Sequence, residues 1–461
     1  MTFPRYPRYK DSGVEWLGEV PAHWCVAPIG SHYSLRSGYP FSAELFEPEG
    51  DPADRLIRIR NIMNPHSRIF TSEPCPEWAI VKDGDVLVGM DGDFNVIYWN
   101  AGRAKLNQRV CALRGENESL DRYLFYGLPV PLKITNDLTF STTVKHLSSG
   151  QLLKLRFPRP PSFEVAQIVA FLDHETGKID ALIEEQRRLI DLLKEKRQAV
   201  ISHAVTKGLD PNVPMKDSGV EWLGEVPVHW TVAALRWYAT IQGGLAKGKK
   251  YGLDEPVVSR PYLRVANVQD GHFNLSVVHD VAVGLSEVSR YELREGDVLM
   301  NEGGDSDKLG RGAVWQGAIE GCLHQNHVFA IRPNRHLSAT WLSMFTRSDS
   351  ARSYFYLYSK QSTNLASISS RNVMACPVPI PPIKEQREIL GRLSDALVQI
   401  DGLMDETEGA MALLQERRSA LISAAVTGKI DVRGWSAAAE EPGLGMVAEE
   451  SAGYSAQGGT A

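Results

Sequence analysis

The sequence has few cysteines, no long apolar run and no excess of positive charge, and each absence excludes a class of protein. The five cysteines are widely spaced with no Cys-x-x-Cys pair, so neither a disulfide framework nor a structural zinc site is expected. No run approaches the roughly 18 apolar residues of a membrane span, and the N-terminus lacks the apolar core of a secretory signal. Lys and Arg total 50 against 56 Asp and Glu, which excludes a polycation. These features predict a cytoplasmic protein with no membrane segment.

Sequence motifs of catalysis are also missing. The chain has no H-E-x-x-H or G-x-S-x-G, no N-P-P-[FY] or D-P-P-Y for amino-methyl transfer, and no acidic cluster typical of a metal-dependent nuclease. Residues 243–249 fit G-x-x-x-x-G-K, but Lys250 stands where a phosphate-binding loop needs the Ser or Thr that binds magnesium. We interpret this segment as a flexible basic loop that contacts a phosphate backbone, with a solvated charge run as the alternative. No catalytic site, metal site or cofactor is expected in this chain.

An internal duplication organises the sequence. Residues 10–24 and residues 216–230 share the pattern K-D-S-G-V-E-W-L-G-E-V-P-x-H-W, and fourteen of the fifteen positions are identical. The offset between the copies starts at 206, drifts through 212 and 218, and then holds at 221 from Pro160 and Pro381 through Thr206 and Thr427. Insertions are tolerated in loops, whereas a constant length is typical of a packed element. Each copy is therefore predicted to contain a variable lobe followed by a fixed rod.

The fixed segments show the heptad spacing of a coiled coil. Apolar positions alternate by four and three residues in both copies, with Pro-Pro before each segment and Gly208 or Gly428 after it. About 42 residues at 1.5 Å each give a helix of roughly 60 Å. An ordinary long core helix is the alternative, but two copies in one chain favour pairing. We expect an antiparallel seam in which Ile179, Leu182, Leu189 and Leu193 face Ile400, Leu403, Ala410 and Leu414.

The variable segments predict strands. Short apolar runs such as Asp85–Gly89 and Val110–Arg114 are divided by Gly, Pro, Asn and Asp, which is typical of an α+β domain. The last 26 residues are rich in Ala, Glu and Gly without periodicity, and predict a disordered acidic tail. The predicted domains are the first lobe (1–160), the first helix (161–210), the second lobe (211–380), the second helix (381–435) and the tail (436–461).

Clusters of basic and amide residues in both lobes suggest contacts with double-stranded DNA. Each lobe has a net charge of about +1, and the negative charge lies mainly on the second helix and tail. Arg and Lys suit phosphates and guanine, and Asn and Gln suit adenine. For any single cluster a solvated surface is the alternative, but recurrence in both lobes favours DNA. The candidates are Arg58, Arg60, Asn61, Lys105, Asn107, Gln108, Arg109 and Lys145 in the first lobe, and Lys247, Lys249, Lys250, Tyr251, Arg264, Asn267, Lys308, Arg311, Gln325, Asn326, Lys360 and Asn364 in the second.

With these patterns the chain resembles the specificity subunits of type I restriction-modification enzymes. The resemblance covers residues 9–431 and rests on the duplicated opening motif, the Gly-Asp-Val-Leu strands, and the Pro-Pro-Ile-Lys-Glu-Gln start of the second helix. The similar endings of the two helices, Ser202–Thr206 and Ser423–Thr427, complete it. One departure is that Val165 follows Glu164 where this family usually has Gln, which puts any role of that Gln in doubt.

The resemblance implies a fold and a set of partners. It implies two target-recognition domains joined by two long antiparallel helices with pseudo-twofold symmetry, each domain reading half of a bipartite asymmetric DNA sequence. Two modification subunits would methylate adenine with S-adenosylmethionine, and two restriction subunits would use ATP and Mg²⁺ for cleavage. This chain would then carry no active site. The alternatives are a structural coiled-coil adaptor without nucleic-acid binding and a stand-alone nuclease or methyltransferase.

Overall fold

Short strands and turns form the first lobe, as the alternation of apolar and turn residues predicts. The computed structural model describes residues 3–138, 145–248, 251–252, 255–304, 309–361 and 366–437. An antiparallel four-stranded sheet has the order β4-β10-β7-β8, and a three-stranded sheet of order β5-β9-β6 packs beside it. The strands are β1 Tyr9–Asp11, β2 Glu19–Pro21, β3 Cys25–Pro28, β4 Ser34–Ser37, β5 Leu56–Ile57, β6 Ile80–Val81, β7 Val86–Gly89, β8 Val96–Tyr98, β9 Ala104–Leu106, β10 Val110–Arg114 and β11 Arg156–Arg159, and the helices are α1 Glu118–Gly127, α2 Pro129–Leu138 and α3 Ser149–Lys154.

After the long helix α4 (Ser162–Lys207), the second lobe repeats the same plan. Its four-stranded sheet has the order β15-β22-β18-β20, and a three-stranded sheet β17-β16-β21 takes the place of β5-β9-β6. The strands are β12 Met215–Asp217, β13 Glu225–Pro227, β14 Thr231–Ala234, β15 Ala239–Gly243, β16 Val257–Leu263, β17 His279–Gly284, β18 Val298–Asn301, β19 Gly303–Gly304, β20 Gly312–Val314, β21 Leu323–His324, β22 Val328–Pro333, β23 Lys360–Gln361, β24 Ala366–Ser367 and β25 Pro377–Ile380, and the helices are α5 Val288–Tyr291, α6 Ala339–Thr346, α7 Asp349–Leu357 and α8 Ser370–Ala375.

The Gly-Asp-Val-Leu segments recognised in the sequence are structural anchors of these sheets. Asp85 is fully buried at the start of β7 and accepts a hydrogen bond from Arg114 Nε on the neighbouring β10, at 2.7 Å. In the second lobe, the buried Asp297 accepts two bonds of 2.7 Å from Arg332. A buried carboxylate requires such a partner because desolvation disfavours an unpaired charge. Each aspartate therefore fixes two central strands of its sheet.

The helices α4 and α9 (Ile383–Val426) carry the fixed-length segments. They begin within two residues of the predicted starts at 161 and 381, directly after the Pro-Pro stops. The chain forms two compact units, and each unit combines one lobe with half of each helix. The first unit contains residues 1–185 and 410–461, and the second contains residues 186–409. Each long helix is thus divided between the two units.

Within each unit the two helices run antiparallel. In the first unit, residues 165–172 of α4 share a buried cluster with Ala425 and Val426 of α9, and Asp180 pairs with Arg418 at 2.8 Å. Moving forward along α4 therefore means moving backward along α9. In the second unit, Arg197 pairs with Asp401 at 2.8 Å. At the constant offset of 221, Arg197 is the counterpart of Arg418 and Asp401 is the counterpart of Asp180. The same ion pair thus occurs once in each unit, and each pair joins one copy of the duplication to the other.

The predicted seam is wrong at four of its eight positions, the two middle ones on each helix. Ile179, Leu193 and Ile400 are buried and Leu414 is half-buried, whereas Leu182, Leu189, Leu403 and Ala410 are exposed. Leu189 is 41% exposed, but the adjacent Ile190 is only 7% exposed, and Ile183 is likewise buried beside Leu182. Because Leu-Ile pairs place two apolar residues side by side, either member satisfies the heptad spacing, and only packing decides which one is buried.

Candidate nucleic-acid interface

The strands of each four-stranded sheet lead into a group of loops at one end of the lobe, which we call the loop end. In the first lobe it comprises residues 38–41, 58–64, 90–95, 107–109 and 145–147. Backbone hydrogen bonds join these loops into one surface, so residues far apart in sequence lie together. These bonds run from Tyr39 N to Leu106 O (2.7 Å), Asn107 N to Ile57 O (3.0 Å), Gln108 N to Tyr39 O (3.0 Å), Met90 N to Arg109 O (2.9 Å) and Leu147 N to Met90 O (2.8 Å).

The second lobe has the same loop end, formed by residues 244–248, 264–271, 301–304, 325–327 and 366–368. Each of the five backbone bonds has a counterpart between residues at the duplication offsets, although most of the side chains differ. The duplication therefore preserves the loop scaffold and varies its surface. The counterparts run from Leu245 N to His324 O (2.8 Å), Gln325 N to Leu263 O (2.9 Å), Asn326 N to Leu245 O (3.1 Å), Glu302 N to His327 O (2.9 Å) and Ile368 N to Glu302 O (2.9 Å).

A glycine makes this close packing possible in each lobe. A Cβ atom on Gly38 would lie 2.0 Å from the carbonyl oxygen of Asn107. A Cβ atom on Gly244, its counterpart, would lie 2.1 Å from the carbonyl oxygen of His324. No side chain fits at such a distance, so any other residue would push the two loops apart.

Four of the sequence candidates are buried, and the side chains of three of them stabilise the loops. Asn61 is buried; its Oδ1 accepts from Arg58 N, and its Nδ2 donates to Leu56 O and Ser67 Oγ. Asn267 has the same role in the second lobe: its Oδ1 accepts from Arg264 N, and its Nδ2 donates to Asn274 O and Val277 O. Lys105 is buried and donates to Thr71 O and Glu73 O while pairing with Asp54, and Asn107 is also buried. Composition did not indicate this burial, because it does not distinguish a loop clamp from a surface contact; that these four residues contact DNA stays a prediction.

Other candidates lie on or beside the loop ends with accessible side chains. Arg60, Gln108, Arg109, Lys247 and Lys360 are exposed, and β23, which contains Lys360, connects through β24 to β19 of the loop end. Half-buried candidates are Arg58, Lys145, Tyr251, Arg264, Arg311, Gln325 and Asn326. Lys249, Lys250, Lys308 and Asn364 lie outside the described residues.

Each loop end contains a carboxylate that pairs with basic side chains. In the first lobe, Asp91 lies 3.4 Å from Arg109 and 2.7 Å from His146. In the second lobe, Glu302 lies 2.7 Å from His327. These pairs are largely exposed and therefore contribute little to stability. Each orients an Arg or His side chain at the surface, where a phosphate group competes for it.

The opposite end of the first lobe's sheet is acidic. A surface pocket there is lined by Asp83, Glu116, Glu118 and Asp121 together with Arg114. Burial raises the pKa of Asp121 to about 6, and the carboxylates of Asp85 and Glu118 add to this rise. Because this end would repel phosphates, the loop end is the favourable face for a nucleic acid.

The sequence candidates do not include three exposed apolar residues at and beside the first loop end. Leu45, Met63 and Trp78 are exposed, and the Trp78 ring lies 6.3 Å from that of Tyr39. The apolar pattern did not predict their exposure, because each lies in a turn-rich segment where an apolar residue is as often buried as exposed. Among the described residues, no group of three His, Cys, Asp or Glu side chains could hold a metal ion. Nor is any helix in the described part of the chain long and apolar enough to cross a membrane.

Comparison with known proteins finds similarity to one kind of protein in each case. A family model described as the type I restriction modification DNA specificity domain matches residues 57–191. The type I restriction enzyme EcoBI specificity subunit of Escherichia coli is 26% identical over 440 residues, which cover 94% of this chain and 91% of that protein. The EcoKI specificity subunit of strain K12 is 22% identical and covers 93% of each. The chain is thus similar to type I restriction enzyme specificity subunits over nearly its whole length.

A solved structure has the same fold. A chain from a structural study of complex assembly and conformational transition of the type I R-M system superposes with a TM-score of 0.63. The match covers 88% of this chain and 98% of that chain, at 17% sequence identity. The α+β architecture with two lobes and two long antiparallel helices is therefore confirmed.

The duplicated motif anchors the start of each long helix. Trp24 Nε1 donates to Glu164 at 2.9 Å and His23 Nε2 lies 2.6 Å from it; Trp230 and His229 bind Glu385 at 2.9 and 2.8 Å. In the second copy, the buried Gln386 also bonds three backbone groups, those of Ser338, His336 and Pro381. Val165 replaces that Gln in the first copy and packs in the hydrophobic core. The family's Gln is thus a structural clamp here, and an apolar residue substitutes for it.

Proposed function

We propose that this chain is the sequence-specific DNA-binding subunit of a type I restriction-modification complex and reads a bipartite, asymmetric target with one lobe per half-site. The helix pair docks two modification subunits, and two restriction subunits join the complex through this assembly. Adenine methylation with S-adenosylmethionine and ATP- and Mg²⁺-dependent cleavage belong to those partners. The chain itself supplies recognition and assembly and carries no catalytic group.

One observation carries the proposal: the loop ends share a scaffold but differ in their surface residues. The five equivalent backbone bonds fix the same loop geometry in both lobes. On that geometry Arg60 corresponds to Ala266, Met63 to Gln269 and Arg109 to His327. A constant frame with variable side chains is suited to reading two different base sequences, because phosphate contacts position the protein and side chains at base edges specify the sequence.

Repeated exposed leucines on the helices support docking of two copies of one partner. Leu182 and Leu403 are equivalent at the offset of 221, as are Leu192 and Leu413, and all four are exposed. Each compact unit therefore carries one leucine of each equivalent set: Leu182 and Leu413 in the first, and Leu192 and Leu403 in the second. Exposed leucines on a long helix favour an apolar partner surface. Identical sets in the two copies favour two identical partners.

Replacement of one lobe tests independent reading. Residues 25–157 are exchanged for the corresponding segment of another member of the family, and the methylated motif is determined by methylome sequencing of hosts with and without the gene. We expect one half of the motif to change and the other to stay the same. A change in both halves would contradict independent reading, and a complex with no salt-dependent binding to duplex DNA would favour the coiled-coil adaptor.

A further inference from the structure

The exposed apolar surface of the first lobe is concentrated at and beside its loop end. Among the described residues 3–160, the large apolar side chains that are more than a third exposed are Leu45 (46%), Met63 (62%) and Trp78 (47%). Met63 lies on the 58–64 loop, and Trp78 adjoins Tyr39. Leu45 precedes Phe46, whose ring lies 5.4 Å from the guanidinium of Arg58. Apolar groups left in water on one functional face indicate a contact surface.

The 58–64 loop holds Met63 on a fixed backbone. The buried side chain of Asn61 bonds Arg58 N, Leu56 O and Ser67 Oγ, and Asn64 N donates to Asn61 O at 2.9 Å. A backbone constrained in this way loses little conformational entropy when its side chains bind a ligand. Met63 and the exposed Arg60 are therefore presented in a defined arrangement before DNA arrives.

The second lobe replaces this apolar position with an amide. Gln269 corresponds to Met63 at the offset of 206, and its Nε2 donates to Ala266 O at 2.8 Å. The loop around it is the same, because Asn267 performs the clamping role of Asn61. The two lobes therefore differ in chemistry, and not in framework, at this position.

We propose that the first lobe reads the methyl group of thymine through Met63 and Trp78, and that the second lobe does not read it at the equivalent position. This inference rests on the proposed function, since it specifies how one loop end recognises its half-site. Of the four unmodified bases only thymine carries a methyl group in the major groove, and apolar side chains recognise it by contact. Arg58 and Arg60 beside this surface hold the adjacent phosphates or guanine edge.

Deoxyuridine substitution tests the proposal, because it removes that methyl group and leaves every base-pairing atom. The chain is assembled with its modification subunits, and Kd is measured for target duplexes in which each thymine in turn is replaced. In the wild type we expect a loss of about fourfold at one or more thymines of the first lobe's half-site. Fourfold corresponds to about 0.8 kcal/mol, the value of one buried methyl group, at about 1.4 kcal/mol per tenfold.

Substitutions then assign the contact. Met63→Gln, which copies the second lobe, and Trp78→Ala are each expected to reduce that loss to less than twofold at the thymine they touch, whereas Met63→Leu should retain it. Trp237→Ala is the matched control, because Trp237 is an exposed tryptophan of the second lobe that precedes β15, away from the loop end.

Three results would overturn the proposal: a first half-site without thymine in either strand, equal wild-type affinity for thymine and deoxyuridine at every position, or a loss that persists in both variants. Failure of the proposed function has a separate signature, because the wild-type complex would then show no preference for the target over a scrambled duplex.

Discussion

Arg347 is buried at the end of α6, and its Nε lies 2.8 Å from Oδ1 of Asp270, a residue of the second loop end. Burial lowers the pKa of Arg347, and the charge of Asp270 opposes this effect. The backbone oxygen of Arg347 also accepts a hydrogen bond of 2.8 Å from Gln198 on α4. This single arginine therefore ties the loop end of the second lobe to the long helix of the same unit.

Removal of Asp270 should destabilise this connection. Asp270→Ala leaves a buried guanidinium without its ion partner, and breaking a buried pair costs about 3 kcal/mol or more. We expect a lower Tm by calorimetry and weaker discrimination at the second half-site. Arg352→Ala is the control, because Arg352 is exposed and 3.6 Å from Asp270, so its loss should cost less than about 1 kcal/mol. Equal effects of the two variants would contradict the role of Arg347 as the anchor.

The stability of the protein should depend on pH through Asp121. Its pKa is raised to about 6 by burial, above the value of about 3.9 in an unfolded chain. Between these values the folded state binds more protons than the unfolded state, so the free energy of unfolding falls as pH rises from about 4 to 6. Asp121→Asn removes this titration and keeps an acceptor for the N–H of Gly115, which bonds Asp121 Oδ1.

We therefore expect Asp121→Asn to match the wild type near pH 4. At pH 7 its Tm should be higher, because its free energy of unfolding should exceed that of the wild type by up to about 3 kcal/mol. Thermal unfolding of both proteins in a series of buffers provides the measurement. A difference between the two proteins that does not change with pH would show that Asp121 titrates normally.

Adjacent substitutions on α4 should separate folding from docking. Ile190→Asp introduces a carboxylate at a buried position and should cost several kcal/mol, with loss of folded protein. Leu189→Asp changes an exposed position, so the stability of the isolated chain should change by no more than about 0.5 kcal/mol. We expect Leu189→Asp instead to weaken association with the modification subunits, measured by native mass spectrometry. An unfolded Leu189→Asp protein would show that Leu189 belongs to the seam after all.

Two residues of the 58–64 loop should have opposite effects. Asn61→Ala leaves buried backbone groups without partners and should cost about 2 kcal/mol, whereas Arg60→Ala should leave Tm nearly unchanged. Arg60→Ala should instead weaken DNA binding and, if it contacts a phosphate, lower the slope of log affinity against log salt by about one unit. Asn267→Ala is the matched variant in the second lobe and should behave like Asn61→Ala. Tight binding combined with normal stability in Asn61→Ala would disprove its structural role.

Local sequence does not determine which polar residues of a loop are buried. Asn61 and Arg60 are neighbours with the same apparent potential for DNA contact, yet one is a buried clamp and the other is exposed. A polar side chain in a loop can form its hydrogen bonds with water or with other groups of the protein. Which partners it finds depends on residues that are distant in sequence. Lys105 is a similar case, since its three partners come from residues 54, 71 and 73.

The duplication, the α+β class, the two long helices and their starts after Pro-Pro are all evident from the amino-acid sequence. These features follow from local sequence patterns that occur in both copies, and a pattern that occurs twice is stronger evidence than one that occurs once. The tertiary structure alone decided which member of each Leu-Ile pair enters the seam, which polar side chains hold the loops, and where Met63 and Trp78 meet solvent. It also decided that Asp85 and Asp297 bind the arginines of neighbouring strands. The physical reason is that burial is a property of the packed chain, because a side chain is removed from water by partners that local sequence does not identify.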